Sequence, residues 1–159
     1  MKPFISLLAC MVIAAAAGCS NDESVKEFNF ESEAIEYGMK ESPEIKEIIG
    51  ESKYVGDEKV LVYLFKNETG TGTGTATLVQ NKDKVKWVIN GPGVVVQQPE
   101  GNVGASHTFE TPSGLKFELY SGVAENQNVT VETKIDYGVK PHVHEESTIY
   151  YYLSAVPGK

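Results

Sequence analysis

The chain has 159 residues and a formal net charge of −8 at neutral pH. All 14 of its basic residues are lysine, so the bidentate guanidinium that reads phosphates and base edges is missing. A net-acidic chain also lacks the counterion release that drives nucleic-acid binding, which excludes nucleic acid as a partner class.

Residues 1–18 have the parts of an export signal. Lys2 supplies the positive end, Phe4 to Ala17 form an apolar run of 14 residues, and small residues follow. Fourteen residues are too few to span a hydrocarbon core, which takes about 20 in a helix. The run ends in Ala16-Ala17-Gly18-Cys19. That ending resembles the lipobox of bacterial lipoproteins, with Ala16 where leucine is commoner. The resemblance implies removal of residues 1–18 and lipidation of Cys19 by a diacylglyceryl thioether. Two or more acyl chains anchor stably where one does not, since each buried methylene contributes about 0.8 kcal/mol. The alternative is a plain signal peptidase cut after the alanines, which leaves Cys19 as an ordinary residue. Cys10 lies in the segment to be removed, so the mature chain of 159 − 18 = 141 residues holds Cys19 alone and forms no internal disulfide. The expected address is the extracytoplasmic face of a cell membrane, with the lipid as the contact.

Charge is uneven along the mature chain. Asp22 to Glu58 holds 12 acids and 4 lysines, whereas Lys59 onward holds 10 acids and 9 lysines. The acidic part reads as a tether over 19–30 and a solvated helix face, or as a surface for a basic partner or cations. A single α+β domain is expected over 31–159, with short N-terminal helices followed by an antiparallel β-rich part of about seven strands, as a twisted sheet or a sandwich.

Ser32 is placed to cap a helix carrying Ile35 and Met39 on one face, with Glu33 and Glu36 near its positive end. Ser42-Pro43 reads as a restart, with Ile45, Ile48 and Ile49 as the stripe of a second short helix and Gly50 as its stop. From Lys59 the period changes to two. Val60 to Lys66 is apolar on both faces, the mark of a central strand covered on each side. Gly70 to Thr77 alternates glycine with threonine, and the threonines fall on one strand face. No GxxxxGK[ST] or strand–turn–helix pattern accompanies it, so it reads as strand rather than phosphate loop. Its glycines allow a helix or a neighbouring backbone to come close. Asn81 to Asp83 is a turn, and Val85, Trp87 and Ile89 form an apolar face. Val94 to Val96 is a short strand, and 97–105 a polar loop. Thr111 to Gly114 turns a hairpin between 107–110 and 115–120. Asn128 to Tyr137 shows the most regular alternation in the chain, and Ser147 to Ala155 is the last strand, with Ile149, Tyr151 and Leu153 inward.

The order of a short acidic helix, an apolar strand ending at Lys66, a Gly-x-Gly-x-x-x-Leu strand, Lys84 to Ile89, and Phe117 to Val123 before a strand at Val129 resembles small exported proteins and lipoproteins of Bacillus-type Gram-positive bacteria, of uncharacterised function. The likeness covers roughly 30–155 and implies a habitat rather than an activity. The chain departs from that group at Lys140-Pro141-His142-Val143-His144-Glu145-Glu146.

That stretch is the one constellation with recognisable site chemistry. On an extended chain His142, His144 and Glu146 project from one face, and two imidazoles with a carboxylate suit zinc, copper or a similar divalent ion. The bland alternative is an exposed polar loop that happens to hold two histidines. No other cofactor is implied, His107 has no fixed relation to the pair, and no catalytic motif is found. Two functions follow: a membrane-anchored binding or interaction module of unknown ligand, or a metal-binding surface protein centred on His142 and His144.

Overall fold

The computed structural model describes residues 25–126 and 128–157. The export signal, Cys19 and the first part of the tether lie outside them. The elements in chain order are β1 (Glu27–Phe28), α1 (Glu31–Glu41), β2 (Ile45–Glu51), β3 (Glu58–Asn67), β4 (Gly70–Asn81), β5 (Lys84–Ile89), β6 (Val94–Gln98), β7 (Gly101–Asn102), β8 (Ala105–Glu110), β9 (Lys116–Val123), β10 (His142–Val143) and β11 (Ile149–Ala155). Seven strands form one antiparallel sheet, ordered β1-β5-β4-β3-β2, with β6 bonded to β4 and β7 to β6. Four form a second antiparallel sheet, ordered β10-β11-β9-β8. No helix among the described residues is long and apolar enough to cross a membrane.

β3 explains the layering. Its apolar residues alternate between two cores because successive side chains of a strand point to opposite faces. Leu61, Tyr63 and Phe65 join Ala76, Leu78 and Trp87 under α1. Val60 and Val62 meet Phe109, Phe117, Leu119 and Tyr151 of the second sheet, and Leu64 meets Ile149 beside them. These six apolar β3 side chains are all buried, each contributing roughly 1.5–3 kcal/mol before the entropy of ordering it. The central strand expected at Val60 to Lys66 is therefore present, covered on both faces.

The threonine run is a strand as expected. Thr73, Thr75 and Thr77 are buried on the face toward the second sheet, where Thr73 is hydrogen-bonded to Ser121 and Asn90 links Thr75 and Thr77. On the other face Gly72 gives the expected close approach. A Cβ there would lie 2.0 Å from the Val94 carbonyl oxygen, so β6 packs its backbone where a side chain would stand.

Four sequence expectations fail. The second helix is strand β2, because two bulges, at Ile45/Glu47 and Ile48/Gly50, re-phase it. An extra residue between Ile45 and Ile48 puts both on the α1 side at a spacing of three, while Ile49 faces the second sheet. A bulged edge strand thus imitates a helical stripe, and the described residues hold one short helix. Ser32 is not its cap: the capping position is Phe30, with no side-chain bond, and Glu33 reaches back to accept from the Asn29 N–H at 3.1 Å. Asn128 to Tyr137 is not a strand, since only Val131 pairs, with Val139, and Thr133 Oγ1 accepts the Ile135 and Asp136 N–H groups in a turn. The loop at 97–105 contains β7, folded back on β6. Within the stretch expected as a tether, Glu27 and Phe28 form β1, paired with β5.

Candidate functional site

The histidine-bearing stretch is a hairpin on the rim of the second sheet. Pro141 is buried and β10 pairs with β11 for two residues, His142 with Tyr151 and Val143 with Tyr150. The exposed His142 ring stacks on Tyr151, with centroids 5.2 Å apart and planes 18° apart. His144 then closes the turn: its N–H donates to the Ile149 carbonyl, and its carbonyl accepts from the Thr148 N–H, each at 2.9 Å. Thr148 takes a left-handed φ of +58°, unusual for a β-branched residue, to bring the chain back.

The His144 ring braces this turn against the first sheet. Nδ1 lies 2.9 Å from Ser147 Oγ, which accepts the Ile149 N–H at 3.2 Å. Nε2 lies 3.3 Å from Glu47 Oε2 on β2. Serine, imidazole and carboxylate are connected as in a nucleophile relay, but the serine oxygen serves the turn's own backbone and its N–H also faces Nδ1. The arrangement holds the hairpin to β2.

Two open clefts flank the hairpin. The larger, about 730 Å³, is lined by Glu125, Asn126, Lys140, His142, Glu145 and Thr148 among others. The smaller, about 380 Å³, is lined by Ile49, His142, His144, Glu145, Glu146 and Tyr151 together with Val143. His142, Val143 and Glu145 stand on the ridge common to both. An amine, an exposed imidazole, carboxylates and an amide therefore converge on one rim, over aromatic and aliphatic walls. Such a surface can orient a small polar ligand or a peptide by hydrogen bonds and charge.

The expected metal triad is assembled only in part. His142, His144 and Glu146 line the smaller cleft, but extended alternation stops after Val143 and residues 145–147 turn, so Glu146 leaves the strand face. Among the described residues, no group of three or more His, Cys, Asp or Glu is arranged to hold a metal ion. His107 is elsewhere. β8 and β10 are opposite edges of their sheet, and the His107 ring packs at 5.8 Å from Phe109 with both nitrogens buried and without a partner. Burial holds its pKa below the usual imidazole value. Glu47 and Ser147 were missed by sequence reasoning: Glu47 was assigned to a helix, and Ser147 was read only as the start of a strand.

Comparison with protein-family models, with curated proteins and with solved structures finds no match for this chain.

Proposed function

We propose that this protein is a lipid-anchored, extracytoplasmic binding module that presents the β10–β11 hairpin clefts to a ligand or envelope partner. The observation that carries the reading is the pair of adjoining clefts sharing His142, Val143 and Glu145, with Lys140 and Asn126 on the same rim. The lipobox-like Ala16 to Cys19 supplies the anchor, and the single mature cysteine leaves it free for acylation. The test is a paired pull-down from membranes with the full acylated chain, wild type against Lys140→Glu and His142→Ala. A partner retained by the wild type and lost by both variants supports the module. Identical recovery with all three removes the clefts from the function.

A second reading has its own observation. His144 Nε2 and Glu47 Oε2 are 3.3 Å apart, close to the separation of two donors on one tetrahedral zinc with bonds of about 2.0–2.2 Å. In this reading His144 and Glu47 hold a divalent ion, with His142 or Glu146 moving in to complete the set. Titration with zinc or copper tests it: a raised melting temperature that His144→Ala abolishes supports a metal site, and no stoichiometric binding ends it.

A further inference from the structure

We infer that the β1 edge of the larger sheet is the face this protein turns toward an anionic lipid surface, so that the hairpin clefts point away from the membrane. The inference rests on acylation of Cys19 and adds an orientation to it. Five residues lie between Cys19 and Val25, the first described residue, a span of six Cα–Cα steps. Fully extended, they reach at most about 20 Å. An acyl chain at Cys19 therefore holds Val25, two residues before β1, within that distance of the headgroups. β1 and β2 are the two ends of the five-strand order β1-β5-β4-β3-β2. Four strand spacings of about 4.8 Å put them roughly 19 Å apart. His144 contacts Glu47 on β2, so the clefts belong to the far edge.

The side chains at the near edge fit a lipid surface. Val25 is 53% and Phe30 65% exposed, both apolar and both beside the tether. Lys26 immediately precedes β1, Lys84 and Lys86 lie on β5, which pairs with it, and Lys82 lies in the turn before β5. Among the described residues Lys26, Lys82 and Lys84 pair with no carboxylate. Lys84 Nζ donates to Asn29 Oδ1 at 2.6 Å, and Lys86 pairs with Glu27 at 3.0 Å. Lys26 Nζ lies 4.6 Å from the centre of the Tyr37 ring. Among the described residues the acids at this edge include Glu27, Glu33 and Asp83, of which Glu27 is paired and Glu33 holds the Asn29 N–H. Asp22 and Glu23 adjoin the anchor in sequence whichever edge faces the lipid, so they do not distinguish the orientations. The far edge is the more acidic one, with Glu44, Glu47 and Glu51 on or beside β2 and Glu145 and Glu146 in the hairpin, against Lys46, Lys53 and Lys140. A chain of net charge −8 is repelled by an anionic bilayer as a whole, so the orientation that turns these lysines inward and the acids outward is favoured. Each lysine near such a surface is worth about a fivefold factor.

The test is hydrogen exchange of the full acylated protein on vesicles with and without phosphatidylglycerol, after its acyl mass is verified. The expected result is slower exchange at 25–30 and 82–86 on anionic vesicles only, with 142–148 unchanged. The triple variant Lys26→Glu/Lys82→Glu/Lys84→Glu should stay vesicle-bound and lose that protection. If the triple variant does not fold, wild type in salt raised to about 0.5 M should lose the protection equally, since screening then acts over a few ångströms. Acylated protein with uniform exchange, or with protection at 142–148, overturns the orientation and leaves the anchor standing. Protein without acyl mass overturns both.

Discussion

Gly38 lies on the face of α1 that meets Trp87, and the closeness of that contact decides the outcome of an ordinary helix-stabilising substitution. Replacing a glycine inside a helix by alanine gains about 1 kcal/mol from propensity alone. Here an added Cβ would stand 2.3 Å from Cε2, 2.4 Å from Cδ2 and 2.6 Å from Nε1 of the indole. An ordinary contact needs about 1 Å more, so α1 must lift from the sheet and loosen Ala34, fully buried on the same face, with Ile35 and Met39. Overpacking of this kind costs roughly 1–3 kcal/mol. Contacts this short place the cost in the upper part of that range, about 2–3 kcal/mol, so it exceeds the propensity gain and Gly38→Ala is expected to destabilise by about 1–2 kcal/mol. In thermal denaturation this is a fall of roughly 3–8 °C. The partner variant sharpens the test. Trp87→Phe removes the crowded part of the indole and an Nε1–H that has no hydrogen-bond partner, so Gly38→Ala should cost less in that background than in wild type. A melting temperature unchanged or raised by Gly38→Ala alone would refute the reasoning.

Three further outcomes follow from the described contacts. Glu58 is 5% exposed and accepts from the Ser113 N–H at 2.8 Å and its hydroxyl at 2.7 Å, tying β3 to the β8–β9 turn. Glu58→Ala should therefore lower stability by about 1–3 kcal/mol in urea titration, and Glu58→Gln by less, because one acceptor remains. Thr148→Gly should stabilise by about 0.5–1 kcal/mol, since relief of the left-handed strain outweighs an exposed hydrogen bond to the Ser147 carbonyl. His107 has a folded pKa below its unfolded value of about 6.5, so the unfolded chain takes up the proton first as pH falls. Its contribution is complete above pH of about 6.5 and is lost progressively below it. The difference in melting temperature between pH 7.5 and 5.5 should be smaller in His107→Leu than in wild type, and an equal difference would contradict the assignment.

Local patterns decided which parts of the fold were legible from sequence. Val60 to Phe65 announced a doubly covered strand because burial on both faces leaves no polar positions, and the structure has six buried side chains there. The hairpin at Thr111 to Gly114 was legible because turn chemistry is local; the Gly114 N–H donates to the Thr111 carbonyl at 2.8 Å. Ile45, Ile48 and Ile49 misled because a bulge is set by register with β3, which periodicity does not contain. Asn128 to Tyr137 misled in the opposite sense. Alternation needs a neighbouring strand to become a sheet, and without one Ile135 and Tyr137 remain 56% and 86% exposed. At the hairpin, the sequence marked His142 and His144 but not Glu47, which lies nearly a hundred residues earlier in the chain and meets His144 only because β2 is a strand. Gly38 was likewise invisible as a contact, since nothing in its neighbours names the tryptophan that fills its space.

The intact mass of the protein extracted from membranes tests the proposed tethering most directly. The expected species begins at Cys19 and carries the mass of a diacylglyceryl group with or without a third acyl chain, and Cys19→Ala is expected to move the protein from the membrane to the medium. A membrane-bound protein that begins at another residue, or one that begins at Cys19 without acyl mass, would contradict the tethering.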